Sequence, residues 1–444
     1  MPPFGKNPAE TGAKGPGLPR GRRGGRARVC RAGGKGIFLT MNIAEVRQLI
    51  RMKPVERDVI KRRLARCHTV ADLRRSAKLL IPRPVFDYVD GAADDELSMA
   101  GNLRAFQRWR FRPHEFVDVA AVDTSAQVLG RTHSMPLGMA PTGHSRMMHP
   151  DGEVAVARAA GRRNLPYTLS TMGTTSIEDL AAAAHATGQD DLWFQLYMLK
   201  DRGLTQELVQ RAADSGYRVL AVTVDTTVTG FRVRDEHNGL VIPPELTVST
   251  MASIASRPAY WIRMLRNPAI TFANLPPDFQ SGTVASGIAK FTPTITFDDV
   301  AVLRAHWPGK LIVKGPLGAA DARRAIEAGA DGVQLSNHGG RQLDRAIAPI
   351  DLVAEVREAL GDGPTVLMDS GIRHGADLVI ALALGADAGL IGRAYLYGLM
   401  AGGEAGVDRV LELLADQFTR TMQLLGVTSV AELRKHGREL LSQP

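Results

Sequence analysis

An α/β fold of the (β/α)8 TIM barrel type, with eight parallel strands alternating with eight helices, is the class this chain predicts, and three observations carry it. Short apolar runs of three to six residues recur along the sequence, and each ends in small or polar residues. Between them lie stretches rich in Ala, Arg and Glu at helical spacing. The length, 444 residues, accommodates a barrel that uses about 250 residues as one domain.

The runs come in order. Residues 136–140 lead into Pro141 and Thr142, 167–169 into Ser170 and Thr171, and 192–197 carry Gln195 and close on Tyr197. Residues 219–224 contain Thr223 and lead into Asp225, 311–313 into Lys314, and 332–335 into Ser336. The last two, 365–368 and 388–391, lead into Asp369 and into Gly392 with Arg393. Helical spacing is plain over 320–328 and 376–384. A barrel of this kind gathers its working groups at the C-terminal strand ends, and every end here offers one.

The densest chemistry is SNHGGRQLD, residues 336–344. Within it His338 can take a proton and Arg341 can grip a carboxylate through two parallel N–H groups, while Gly339 and Gly340 permit close approach of backbone or a flat ligand. A base beside a carboxylate grip suits chemistry on the carbon next to a carboxylate.

With that motif in view, the chain resembles the flavin mononucleotide (FMN) dependent (S)-2-hydroxy acid dehydrogenases and oxidases, from about residue 69 to about 433. The resemblance rests on FDYVDGAADDE (86–96), APTG (140–143), FQLY (194–197), TVD (223–225), VKG (313–315), SNHGGRQLD, DSGIRHG (369–375) and IGRAYLYGLMAGGEAGV (391–407). Their shared order and spacing make it specific, and DSGIR and GRAYLYGL have the flavour of the L-lactate dehydrogenase branch.

The resemblance implies FMN as cofactor and a role for each matching residue. Lys314 would stand by the pyrimidine edge of the flavin and stabilise its reduced form, while Thr142, Ser170, Gln195, Thr223 and Ser336 would meet its polar edges. Gly371, Arg373, Gly392 and Arg393 would surround the phosphate, with Asp369 accepting from a ribityl hydroxyl. His338 would be the base, and Asp225 would stabilise its imidazolium. Arg232 and Arg341 would hold the substrate carboxylate, and Tyr88 and Tyr197 would donate to it and to the hydroxyl. Tyr88 precedes the barrel, so an N-terminal helical segment should fold over the barrel mouth. Two departures stand out: Met172 replaces the tryptophan of glycolate oxidases, which favours a substrate of lactate size or larger, and Ser370 replaces a glycine common in the family.

The organisation expected is a disordered basic leader at 1–40, an N-terminal helical segment and barrel entry at 41–136, and a barrel at 137–444 with an insertion at 246–292 and C-terminal helices. The leader holds nine Lys/Arg and one Glu, so the formal charge of +9 leaves only +1 for the rest and argues against a nucleic-acid partner. Met41 follows it and is the expected native start. Two cysteines give no disulfide framework and no zinc spacing, which fits a reducing cytoplasm with no metal.

The acceptor is expected to be a membrane quinone. Residues 246–277 lack any acid, contain Arg257, Arg263 and Arg266, and place Ile254, Pro258, Trp261, Ile262 and Leu265 on one helical face. Such a segment suits peripheral contact with a membrane. L-lactate is the expected substrate and a homotetramer the expected assembly. A soluble oxidase using oxygen and a family member acting on a larger peptide-derived substrate are the alternatives.

Overall fold

The computed structural model describes residues 56–239, 252–253, 255–276, 291–315 and 318–443. Eight parallel strands close a barrel: β1 (Leu137–Met139), β2 (Tyr167–Ser170), β3 (Leu192–Tyr197), β4 (Val219–Thr223), β5 (Lys310–Lys314), β6 (Gly332–Leu335), β7 (Thr365–Met368) and β8 (Ala388–Ile391). Consecutive strands pair, and β8 closes on β1 through Gly389 with Leu137 and Ile391 with Met139. The strands are buried almost throughout, which is why they read as apolar runs rather than as alternating patterns. The barrel class is therefore as expected, and the eight runs coincide with the eight strands to within a residue or two.

Register turns this closure into a site. Tyr197 pairs with Thr223, Thr223 with Lys314, and Lys314 with Gln334, so one rung of the ladder carries polar groups from four strands. Intervening helices are fixed by local signals. Ser176 caps the helix Ile177–His185 through the Asp179 N–H, and Thr296 forms a reciprocal capping box with Asp299 ahead of the helix Phe297–His306.

The described part of the N-terminal segment is helical from Val59 to Gln107 apart from short connections, and it reaches the mouth. Thr69 and Asp72 form a capping box for the helix Val70–Leu80, and the helix Arg83–Asp90 follows with Pro84 in its first turn. Asp90, buried at its end, accepts from Arg74, Arg234 (3.1 Å) and the Tyr397 hydroxyl (2.8 Å). Two arginines from the barrel meet the carbonyls left open at the same end. Arg341 donates to Tyr88 and Gly91, and Arg393 to Val89 and Gly91.

Two features were not expected from sequence. A short antiparallel ribbon pairs Ala126–Val128 with Arg131–His133 ahead of β1, and Arg110–Phe111 pairs with Leu441–Ser442 so that the C-terminal residues return to the N-terminal segment. Within the insertion the helix Pro258–Leu265 is described, and the leader at 1–40 lies outside the described residues.

Candidate active site

A cavity of about 1260 Å3, counting its open mouth, lies at the C-terminal strand ends. All but four of the expected site residues line it: Tyr88, Thr142, Ser170, Tyr197, Arg232, Lys314, His338, Arg341, Asp369, Gly371, Arg373, Gly392 and Arg393 are in its wall, whereas Gln195, Thr223, Asp225 and Ser336 stand behind it.

His338 is presented by a tight turn after β6. Its backbone is left-handed (φ 57°), an uncommon conformation for a residue with a Cβ, and Gly339 and Gly340 follow at φ 66° and 78°. A Cβ on Gly340 would lie 2.7 Å from the Met99 nitrogen, so the glycine pair answers a close approach as well as a turn. The turn is pinned by the reciprocal amide pair Asn102–Asn337 (2.9 and 2.7 Å) and by the His338 N–H donating to Ser336 Oγ (3.1 Å).

The imidazole is thereby held between two partners. Its Nδ1 lies 3.1 and 3.2 Å from the Asp225 carboxylate oxygens, and its Nε2 lies 3.3 Å from the Tyr197 hydroxyl. With Nδ1 protonated toward Asp225, Nε2 carries the lone pair that faces the cavity side. Burial and the Lys314 charge pull the His338 pKa below its ordinary value, against the opposing pull of Asp225, so the imidazole is neutral near pH 7. Burial pushes the Asp225 carboxyl up, but His338 and Lys314 together with its hydrogen bond outweigh this and hold it below the usual range. A neutral base backed by a carboxylate can take a proton and keep the resulting cation stable.

Lys314 gives the most direct indication of a bound group. Its ammonium is buried, makes no hydrogen bond to a described residue, and comes no nearer than 3.9 Å to the Asp369 carboxylate. A buried ammonium that makes no hydrogen bond is costly, and an electron-accepting ring with an anionic reduced form is the kind of occupant that would complete it. Asp369 is already engaged by Gln334 (2.6 Å), Ser336 (2.7 Å) and Ser370 (2.7 Å), which fixes one face of its carboxylate. Behind the opposite wall runs a chain in which Ser170 donates to Gln195 Oε1 and Gln195 Nε2 donates to Thr223 (both 2.9 Å). Gln195, Thr223 and Ser336 thus orient wall residues rather than forming the wall.

The end of the cavity expected to take a phosphate is built by the ends of β7 and β8. An added Cβ on Gly392 would meet nothing closer than 3.7 Å, leaving room beside its amide. The two arginines expected there differ. Arg373 spends one N–H on its own Ile372 carbonyl (2.7 Å), whereas Arg393 gives three of its five donors to Val89, Gly339 and Gly91 (2.8, 2.7 and 2.6 Å). Arg393 therefore joins the N-terminal segment, the His338 turn and the barrel. Its guanidinium is partly buried, and desolvation pushes its pKa down to about 10. Ser370, where a glycine is common, sits at φ 72° and is held there by accepting from the Gly339 N–H (2.9 Å) while donating to Asp369.

The mouth collects cationic and phenolic groups from separate segments. The Arg341 guanidinium lies 4.8 Å and that of Arg232 5.7 Å from the centre of the Tyr88 ring. Arg232 also pairs with Asp235 (3.0 Å). Burial and the nearby Arg232 pull Arg341 below the usual guanidinium range, though it stays charged. Two guanidiniums facing one space call for an anion, and a carboxylate fits their geometry.

Phe291 and His144 are among the wall residues that sequence reasoning missed. Phe291, at the far end of the insertion, packs against Tyr197 with ring centres 4.9 Å apart. His144, two residues beyond Thr142, reaches the Tyr88 hydroxyl with Nδ1 (3.2 Å). The signal for His144 was a titratable residue following a strand-end motif; nothing local marks Phe291.

The fold and the cavity, taken with the family match and relatives, define a flavin-dependent barrel enzyme that acts on a 2-hydroxy acid. The chain belongs to the FMN-dependent dehydrogenase family, whose profile matches residues 77–440. It is 47% identical over 392 residues to a putative L-lactate dehydrogenase of Mycobacterium tuberculosis, covering 88% of this chain and 94% of that one. It is 42% identical over 367 residues to the (S)-mandelate dehydrogenase of Pseudomonas putida, covering 82% and 92%. A crystal structure of the monotopic membrane protein (S)-mandelate dehydrogenase superposes with a TM-score of 0.80 at 40% identity, covering 85% of this chain and all of that one. FMN is accordingly the cofactor, and oxidation of a 2-hydroxy acid is the reaction class.

Proposed function

We propose that this enzyme oxidises L-lactate to pyruvate and passes the electrons to a membrane quinone. The observation that carries the catalytic part is the Asp225–His338–Tyr197 array facing a cavity that also holds the Lys314 ammonium, without a hydrogen bond to any described residue, and the Arg232–Arg341 pair. FMN, when bound, accepts the two electrons that leave the substrate. Arg341 and Arg232 would hold the substrate carboxylate, with Tyr88 donating a further hydrogen bond. Tyr197 would orient the substrate hydroxyl near His338 Nε2, which takes a proton while Asp225 stabilises the cation formed. Lys314 would stabilise negative charge on the flavin. Thr142 and Ser170 would contact its polar edges, and Gly371, Arg373 and Gly392 its phosphate.

The preference for lactate rests on the name of the M. tuberculosis relative and on Met172 in the wall. The mandelate dehydrogenase relative supports a larger aromatic acid as a second reading, because a flexible methionine yields space that a rigid ring would occupy. Reduction of the enzyme-bound flavin by L-lactate and by (S)-mandelate, compared under anaerobic conditions, separates the two.

Quinone as acceptor is supported by the helix Pro258–Leu265. Tyr260 turns inward and donates to the Met147 carbonyl (2.7 Å), while Ile262 and Leu265 stay outward at 51% and 82% exposure. Trp261, expected on the outer face, instead packs partly against the core and edge-on to Tyr260. The membrane-facing set is therefore Ile262 and Leu265 with Arg257, Arg263 and Arg266, each cation contributing about 1 kcal/mol near an anionic surface. Binding to anionic vesicles at low salt, lost at high salt, tests this. Fast reoxidation by oxygen without vesicle binding would make the protein a soluble oxidase. No helix among the described residues is long and apolar enough to cross a membrane. A homotetramer is proposed on resemblance alone.

A further inference from the structure

His144 has no role in the reading above, yet it occupies a demanding position. It is 7% exposed, its backbone is left-handed (φ 57°), and its N–H donates to the Met172 carbonyl (3.1 Å). Its ring stands edge-on to Phe272 at 4.8 Å and to Tyr88 at 5.8 Å, and its Nδ1 is 3.2 Å from the Tyr88 hydroxyl. Nε2 has no hydrogen-bond partner among the described residues. A polar ring buried with one nitrogen unsatisfied costs stability that a leucine or phenylalanine would not, so the remaining contact needs an explanation.

We propose that His144 is a positioning residue for substrate capture: by donating from Nδ1 to the Tyr88 oxygen it turns the Tyr88 hydroxyl proton toward the space flanked by Arg232 and Arg341, where that proton meets the carboxylate of the hydroxy acid. The proposal rests on the reading of that space as a carboxylate site.

The alternative tautomer would do the opposite. A bare Nδ1 would accept the Tyr88 proton and withdraw it from the cavity, leaving a phenol oxygen facing the incoming carboxylate. Electrostatics keeps the ring in the one-proton form that makes this choice meaningful. Burial and the Arg232 and Arg341 charges bring its pKa down to about 4, and no carboxylate among the described residues hydrogen-bonds to it. An anion arriving between the arginines favours the tautomer with hydrogen on Nδ1, since only that one leaves Tyr88 a donor. The rest of Tyr88 is held by its place in the helix Arg83–Asp90, by its carbonyl accepting from Arg341 (2.5 Å) and by its ring lying beside the Arg341 and Arg232 guanidiniums.

The test is a double-mutant cycle on the flavin-loaded enzyme, with oxalate as a carboxylate probe that cannot be oxidised at an α-carbon. Loss of one such hydrogen bond should weaken oxalate binding, read from the flavin spectrum, by roughly 5- to 20-fold in His144→Leu, with KM for the hydroxy acid rising alike and kcat within about twofold. Tyr88→Phe should cost about as much, and His144→Leu combined with Tyr88→Phe no more than Tyr88→Phe alone. His144→Asn, whose amide can stand near the Nδ1 position, should recover most of the loss. His144→Phe provides a second apolar variant if the leucine form folds poorly. Unchanged oxalate affinity in the apolar variants, or full additivity with Tyr88→Phe, would overturn the proposal. Should no 2-hydroxy acid reduce the wild-type flavin, the functional reading fails instead, and the oxalate cycle still scores His144 by itself.

Discussion

The two halves of the cavity are built differently. The strand-end half, with Lys314, His338, Asp225 and Asp369, stands on consecutive strands β4 to β7 whose register places these groups within a few residues of one another. The mouth half, with Tyr88, His144, Arg232 and Arg341, draws on four separate segments held by long-range hydrogen bonds such as Arg341 to the Tyr88 carbonyl and Arg393 to Gly91. Electron and proton transfer would thus be served by groups on a rigid ladder, and substrate recognition by groups on an assembled rim. Changes on the ladder should alter rate at constant fold, whereas changes on the rim should alter affinity and the stability of the N-terminal segment together.

The largest effect should come from the ladder. His338→Gln should retain flavin and melting temperature but slow flavin reduction by about 10² to 10⁴, measured in stopped flow. Asp225→Asn should slow it by roughly 10² or more, because the imidazolium loses its carboxylate. The pH profile carries the sign. His338 must be unprotonated to act, and burial with Lys314 places its pKa below the ordinary 6.5, so the wild-type rate should be flat near neutrality and fall only on acidification below that value. Asp225 opposes that shift, so its removal should move the midpoint lower still.

Rim changes come next. Arg341→Lys keeps the charge but loses the planar fork that serves both the cavity and the Tyr88 and Gly91 carbonyls. KM should rise about tenfold or more, with a lowered melting temperature, in contrast to His338→Gln. Asp90→Asn touches no proposed substrate contact yet should destabilise by about 1.5 to 3 kcal/mol, since Asp90 gathers charged partners at the end of the Tyr88 helix. Burial raises the Asp90 pKa, but Arg74, Tyr397 and Arg234 outweigh it, so the folded value lies below the unfolded one. Its contribution is then present above about pH 4 and is lost as pH falls through the folded pKa, so wild type and Asp90→Asn should converge in acid. The smallest effect is expected at the seam between the halves: Ser370→Gly relieves a left-handed backbone but gives up two hydrogen bonds, leaving stability within about 1 kcal/mol by chemical denaturation.

The same division explains what could be read from sequence. Parallel strands buried on both faces leave continuous apolar runs, so β3, β6, β7 and β8 were legible to the residue, and the group after each strand followed directly. The rim was legible only through motif resemblance, because no local pattern tells Tyr88 from a core tyrosine. His144 and Phe291 went unread because their importance lies in contacts across 56 and 94 residues of chain. The outward placing of Trp261 failed for a related reason: helical spacing gives a face, but Tyr260 anchoring to Met147 decided which face turns in. Gln195, Thr223 and Ser336 were found as polar strand-end residues, though only the hydrogen-bond chain shows that they stand behind the wall.

The central claim is that the ladder carries out oxidation of an (S)-2-hydroxy acid, and anaerobic stopped-flow reduction of the bound flavin tests it most directly. Wild type mixed with L-lactate and with D-lactate, and His338→Gln mixed with L-lactate, should show rapid bleaching in the first case only. Equal bleaching by both enantiomers, or undiminished reduction in His338→Gln, would contradict the account.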